Sequence, residues 1–528
     1  MVDVVVIGCG AGGGVLAKEL GEAGLTVVVL EAGKRFTPSL DYPTDQQDFE
    51  LRAPNVFDPT DERRDRYTSG GSRGFFYNRA KGVGGSTLHY LAVSPRLHES
   101  DFRVHTEDGV AADWPISYAD LEPYYVLVEQ ELGVSGPHPD DANPFDPPRS
   151  RPFPTAAHEF NRAGWTIKRA ADKLGLHMVR EPLAIPTKDW NGRPACIEAG
   201  TCGFGCRIRA KSSIDVTYVP KAEATGRVEI RPECMARQIT VEPDGRKVRS
   251  VIYFDPNGHE QEIRARAVVV AGNAVETSRL LLLSKSPAFP TGLANSSGLL
   301  GKYFIEHLDV NAYGVFADRQ DPWRGVPTGG MIQDYYATDP TNTFARGWTL
   351  LLSSGSQWPY AVGRRVGGWG SAHKARVKEL FGRVLGIASV GEQLPDVRNH
   401  VILDPIVKDS FGLPVPRIVN EPRDNDREML KAITGRSTAL LQAAGATDIS
   451  ATYYPGTSAH YLGGCRMGHD PRTSVVDPWC RAHDVTNLFI GDGSVFVTGG
   501  AVNPALTISA LATRTAEGIV NAFQRGDL

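Results

Sequence analysis

Of 528 residues only seven are cysteine and six are methionine. So few cysteines in so long a chain do not make a disulfide framework. Neither sign of charge dominates, since 57 Lys and Arg stand against 61 Asp and Glu, a net charge of −4. There is no basic stretch with interleaved aromatics either, so nothing points to a nucleic-acid partner. No apolar run approaches the roughly 20 residues that span a bilayer, so no membrane is expected. There is no internal repeat. A strand begins directly after Met1, with no leader-like segment before it, and the expected location is cytoplasmic.

What is plentiful is glycine, 56 residues, much of it in short clusters rather than low-complexity tracts. Such clusters mark tight turns or close approach of backbone to a ligand. The first cluster has the clearest context. "VDVVVIG" is a buried-strand run, "GCGAGGG" a turn, "GGVLAKELGEAG" a helix and "LTVVVLEAG" a second strand. Gly8, Gly10 and Gly13 have G-x-G-x-x-G spacing, and Glu31 ends the second strand about 20 residues later. That arrangement is a dinucleotide site: the glycines admit a pyrophosphate, the helix N-terminus favours its charge, and Glu31 accepts from ribose hydroxyls.

The length exceeds one ordinary core, and strand–turn–helix pieces recur at the start, middle and end. "RAKGVGGSTLHYLAVSPR" is a second glycine-rich stretch. Residues 40–75 are polar and irregular, and 137–155 form a proline-rich connection. "RVEIRPECMARQITVEPDGRKVRSVIYFDPNG" is a set of strands joined by turns. "IRARAVVVAGNAVETSRLLLLS" returns to strand–turn–helix. "NLFIGDGSVF" and "NPALTISALATRTAEGIVNAF" close the chain as strand, loop and long helix. The expected fold class is α/β, a discontinuous Rossmann-like nucleotide domain with an inserted α+β substrate domain.

"AHYLGGCRM" places His460 far from the nucleotide turn. Read alone, this histidine is a base, a satisfied core residue, or a metal ligand beside Cys465. Two ligands do not complete a tetrahedral zinc shell, and His469 and Cys480 lack ligand spacing.

Together these motifs resemble the glucose–methanol–choline (GMC) family of FAD-dependent alcohol oxidoreductases. The resemblance rests on "VVVIGCGAGGG" with Glu31, "AKGVGGST" (80–87), "VVVAGNAVETSRLLL" (268–282), "LGKYFIEHL" (300–308), and "HYLGGCRMG", "GDGSVF" and "NPALTISALA" near the end. Residues 392–418 further resemble the branch of pyranose oxidases, glycoside 3-oxidases and gluconate-type dehydrogenases. Two departures stand out: Ser278 where the family has proline, with Asn273 apparently added, and His89–Tyr90 after "GGST".

The resemblance implies an FAD-binding domain over 1–100, 207–310 and 456–528, and a substrate domain built on an antiparallel sheet over 101–206 and 311–455. It implies that His460 is the base and that Asn503, 43 residues on, donates to the substrate oxygen. Gly84, Gly85 and Ser86, Asp492, and Pro504 with Thr507 at the start of the last helix are then flavin contacts. Pro504 suits a first helical turn, whose N-terminus stabilises negative charge. His89 is a pocket residue or a covalent attachment point for the flavin. Cys196, Cys202 and Cys206, spaced C-x5-C-x3-C, are free thiols, a local disulfide, or ligands of an iron–sulfur cluster. Cys234 is a further ligand candidate and Cys9 a small buried residue. Trp348, Trp358 and Trp369 are expected to help shape the pocket, although aromatics are also common core residues. The expected reaction is oxidation of a secondary hydroxyl of a sugar or glycoside to a keto-sugar, with oxygen or another acceptor. The alternative is the catalytic subunit of a polyol, aminosugar or gluconate-type dehydrogenase, passing electrons through the cysteine loop to a partner subunit. A homo-oligomer is also compatible.

Overall fold

The computed structural model describes residues 1–42, 66–72, 74–326, 328–353, 362–363 and 366–528. Much of the irregular 40–75 stretch, and Trp358, lie outside the described residues.

The first sheet is built on parallel strands Val228–Arg231, Val27–Leu30, Val2–Ile7 and Glu260–Val270, with Leu488–Ile490 beside the last. Its central strands read as unbroken apolar runs because helices cover both faces. Val4, Val5, Val6 and Val268–Val270 are fully buried. The strand Glu260–Val270 serves two sheets of different character. Its charged first half, Glu260–Arg264, pairs antiparallel with Val248–Phe254, which in turn pairs with Met235–Val241. Its Ala265–Val270 half sits beside Val2–Ile7.

The second sheet has strand order 447–453, 310–315, 384–392, 348–353, 328–332, 178–180, with His307–Leu308 also on 384–392. All its pairs are antiparallel. One face is sealed by the helices Arg162–Lys173 and Asp424–Ala443, and Leu308, Val310 and Ala312 belong to that core with Ile433 and Leu440. Side chains alternate across a strand, so His307, Asp309 and Asn311 point the other way, toward the first sheet.

The antiparallel sheet takes the strand Met178–Arg180 from 101–206 and resumes at His307–Leu308, inside the 207–310 segment expected on the nucleotide side. Conversely, the helix Tyr118–Leu132, expected on the substrate side, packs on the closing helix Ala505–Arg525, where Tyr125 bonds Thr507 at 2.8 Å and Tyr124 bonds Glu517 at 2.9 Å. Neither Trp348 nor Trp369 lines the pocket. Trp348 is core, stacked on Tyr335 with ring centroids 4.9 Å apart, and Trp369 is 90% exposed.

Candidate active site

A cavity of about 510 Å³ runs between the two sheets, from the first glycine turn to the inner face of the antiparallel sheet. Its far end is the turn expected to hold a pyrophosphate. A Cβ on Gly8 would stand 2.3 Å from the Ala271 carbonyl oxygen, one on Gly12 1.7 Å from that of Gly491, and one on Gly13 1.9 Å from that of Gly8. Gly8 also has φ +98°, so its backbone and its surroundings both require glycine. Gly13 therefore acts by close packing of helix on strand, while Gly8, Gly10 and Gly12 line the cavity. Gly85 faces Gly10 across the groove, where an added Cβ would lie 2.7 Å from the Gly10 Cα. Gly84 (φ +112°) shapes that turn by backbone, its N–H donating to the Cys9 carbonyl at 2.9 Å. Ser86 and His89 line the same groove.

Glu31 is buried and accepts from the N–H groups of Cys9 (2.9 Å) and Gly33 (2.8 Å). Burial raises its pKa and those two donors oppose the rise. A carboxylate has about four lone-pair sites, so acceptor capacity remains toward the cavity that Glu31 lines. This cradle, closed to any side chain yet open to a ligand, fits the dinucleotide FAD.

At the other end stands His460, and its neighbours determine where its proton lies. The Gly500 carbonyl can only accept, and it lies 2.9 Å from His307 Nε2, so that nitrogen carries hydrogen. Burial pushes the His307 pKa down and keeps the ring neutral, so its Nδ1 is a bare acceptor. His460 Nδ1 lies 2.9 Å from that atom and must donate to it. His460 Nε2 is then unprotonated, with the Asn503 amide donating to it at 3.2 Å. Burial first, and His307 second, hold the His460 pKa well below its ordinary value. The result is a neutral imidazole with a lone pair at the cavity, able to accept a proton.

The turn that orients His307 is itself braced. The Gly500 N–H donates to Glu392 at 3.2 Å, and the Ala501 N–H to the Tyr336 hydroxyl at 3.2 Å. Fully buried Arg346 ties Glu392 (2.6 Å) to Asp101 and Asp108. Tyr336 donates to Asp101 at 2.6 Å. On the other side, Glu306 accepts from the Gly456 N–H at 2.7 and 2.8 Å and holds the loop leading to His460.

Asp492 lines the cavity, but its oxygens are engaged by Ser494 N–H (2.8 Å), Asn273 N–H (2.9 Å) and the Thr277 hydroxyl (2.5 Å). Its visible work is to fasten the "GDGS" turn to the helix Ala274–Leu283. Asn273 (φ +78°), the apparent insertion, is that helix's N-cap, and Ser278 bonds back to the Ala274 carbonyl. Pro504 stands at the N-cap of Ala505–Arg525 rather than in its first turn, and Asn503, Pro504 and Ala505 border the cavity. Thr507 is fully buried against Tyr125, so its hydroxyl serves helix packing. His89 is kept neutral by burial, its pKa pushed down to about 3.

Cys196, Cys202 and Cys206 are unbridged, and burial raises the first two thiols to about 11 and about 12. Among the described residues no three histidine, cysteine or carboxylate side chains converge closely enough to hold a metal ion. The Nζ of buried Lys211 instead braces this loop, donating to the carbonyls of Cys202 (2.6 Å), Leu88 (2.9 Å) and Tyr90 (3.2 Å). Cys465 is a fully buried core residue, and Cys234 borders the cavity.

Sequence reasoning singled out neither His307, Asp309, Asn311 nor Arg346. A signal for the first three exists in "EHLDVN", where polar and apolar residues alternate at strand period. Nothing local marks Arg346.

Profiles of the GMC oxidoreductase family match residues 3–309 and 395–512. The chain is 35% identical to 2-methyl-1,2-propanediol dehydrogenase of Mycolicibacterium austroafricanum, over 99% of this chain and 95% of that one. It is 31% identical to the fructose dehydrogenase large subunit of Gluconobacter japonicus (99% and 98%). It is 33% identical to 6'''-hydroxyparomomycin C oxidase of Streptomyces lividus (98% and 91%). In fold it is similar to formate oxidase of Aspergillus oryzae, with TM-score 0.70 at 16% identity over 99% of both chains. Family profiles over most of the length, near-full-length relatives and a glycine cradle leading to a neutral histidine agree: this chain belongs to the GMC oxidoreductases, flavoenzymes that oxidise alcohol groups.

Proposed function

We propose that the protein oxidises a secondary hydroxyl of a sugar or glycoside to a keto-sugar, with FAD as the hydride acceptor. The observation that carries this reading is the one-way hydrogen-bond chain from Gly500 through His307 to His460. It leaves His460 Nε2 unprotonated and facing the cavity at neutral pH, free to accept a proton. In this reading His460 Nε2 takes the hydroxyl proton. The Asn503 amide, already directed at that atom, turns its N–H to the substrate oxygen as negative charge develops there. The N-terminus of Ala505–Arg525 adds a favourable field at the same end of the cavity. Bound FAD supplies the oxidising chemistry, and the cavity walls keep water from the reacting carbon. The names of relatives, a fructose dehydrogenase subunit and an aminoglycoside oxidase among them, support a polyhydroxylated substrate.

FAD is held non-covalently by the glycine cradle and Glu31, and oxygen or another acceptor reoxidises it. A second reading, a dehydrogenase subunit delivering electrons to a partner, is favoured by the full-length likeness to the fructose dehydrogenase large subunit. No step in it is assigned to the cysteine loop. The test is an anaerobic screen of sugars, glycosides and small diols for flavin bleaching, followed by air or quinone and identification of the product carbonyl. Bleaching by sugars with a ketone product is expected. Bleaching by no sugar, or an aldehyde as the only product, overturns the secondary-alcohol reading. Acid precipitation is expected to release the flavin; colour retained in the pellet would instead assign a covalent link, with His89 the residue to map.

A further inference from the structure

Beyond His460 the cavity ends on the inner face of the antiparallel sheet. Asp309 and Asn311 follow His307 at strand period, so Asp309 lies one two-residue repeat, roughly 7 Å, further along that face. The neighbouring strands complete the wall with Ala388 and Val390, Leu351 and Ser353, and Thr328. One polar atom here lacks a partner: Asp309 Oδ1 is buried without a hydrogen bond, while the hydroxyl of buried Thr328 pairs with the Glu181 carboxyl. A buried polar group costs free energy unless something pairs with it, and a carboxylate costs more than a hydroxyl. Among the described residues no arginine or lysine lines this end. The cavity's cationic side chains, Arg79, Lys81 and Arg279, line the nucleotide end, where Arg79 and Arg279 pair with Glu276. Burial raises the Asp309 carboxyl only to about 6, because the Asn311 side chain and the Ser389 backbone oppose the rise. It is therefore still largely ionised near neutral pH.

We infer that Asp309, with Thr328 and Asn311 beside it, is a cation subsite for the substrate, and that the preferred substrate carries a protonated amine on the same ring or chain as the oxidised carbinol. An ammonium supplies what this end lacks among the described residues: a positive charge for Asp309 and a donor for its unpaired Oδ1. The strand repeat places that charge within the span of one sugar ring of the base. This inference rests on the proposed sugar oxidation and narrows it to amino sugars and amino polyols.

The test uses the flavin-loaded protein and three probes that differ at one carbon, glucosamine, its near-isostere glucose, and the neutral but bulkier N-acetylglucosamine, in anaerobic rapid mixing near neutral pH. The second-order rate of flavin reduction is expected to be at least tenfold higher for glucosamine than for either neutral probe, the size of one charge-assisted hydrogen bond. Asp309→Asn, which keeps shape, is expected to bring that ratio close to one. The comparison among probes on the unaltered protein does not depend on how the variant folds. Equal rates for the three probes, or an unchanged ratio in Asp309→Asn at full flavin content, overturn the cation subsite while leaving sugar oxidation standing. Bleaching by simple diols but by none of the sugars overturns both readings.

Discussion

At the scale of single residues, the decisive feature is a proton whose place is dictated by a backbone carbonyl. The Gly500 carbonyl can only accept, so each ring in the chain has one allowed tautomer. Burial keeps both rings neutral. A histidine whose folded pKa is depressed does not charge as pH falls through its ordinary value near 6.5. The acid limb of the rate of flavin reduction is therefore expected well below pH 6.5. A limb at that value would show that His460 is not held as described. Asn503→Ala removes a donor aimed at the reacting oxygen, and a loss of about 10²-fold in the reduction rate is expected, with flavin content preserved. A loss smaller than about threefold would remove Asn503 from the mechanism. Glu306 carries a different signature. Burial raises its pKa to about 8, so the protein holds it protonated. The stability this contributes is fully present below the ordinary value near 4.5 and is lost as pH rises through about 8. Glu306→Gln is expected to flatten the decline of thermal stability between pH 5 and 8. Parallel curves for the two proteins would contradict that assignment.

At the scale of elements, the site is one strand face meeting one turn. The strand continuing from His307–Leu308 into Val310–Val315 turns His307 to His460, Asp309 and Asn311 to the cavity, and Leu308, Val310 and Ala312 to the core. The turn Gly499–Gly500 receives His307 and is fixed from behind by Glu392 and Arg346. Removing the cation from this buried network leaves three carboxylates uncompensated. Arg346→Ala is expected to cost about 3–5 kcal/mol, read as a lowered denaturation midpoint, with reduction slowed because His307 loses its brace. A midpoint within experimental error of the original would show that the network does not support the turn. This is also the scale at which the sequence stops being readable. The glycine turn, Glu31, His460 and Asn503 each sit in a local motif, and the structure brings all four to one cavity. His307 and Asp309 acquire meaning only when strand 384–392 pairs beside them. Arg346 acquires it only when Asp101, 245 positions away, folds against it. Thr507 shows the converse: its place in a motif marked it for the cofactor, while the helix Tyr118–Leu132, far away in sequence, claims its hydroxyl.

At the scale of the whole molecule, a parallel sheet presents the nucleotide end and an antiparallel sheet presents the substrate end, with one cavity between them. The glycine-rich composition follows from that plan, since backbone must approach both backbone and cofactor along the seam. No described helix is long and apolar enough to cross a membrane. Burial raises the Cys196 and Cys202 thiols to about 11 and about 12, which makes them poor nucleophiles near neutral pH. Purified protein is expected to show a flavin spectrum without stoichiometric iron; iron at or above one per chain that is lost in Cys202→Ser would reverse that assignment. The central claim is that one neutral imidazole facing the flavin site drives alcohol oxidation. Its most direct test is anaerobic single-turnover reduction, by a sugar that bleaches the unaltered protein, of unaltered and His460→Ala protein matched for bound FAD. Loss of about 10²- to 10⁴-fold in the reduction rate with FAD retained is the expected result, and an unchanged rate would contradict the account.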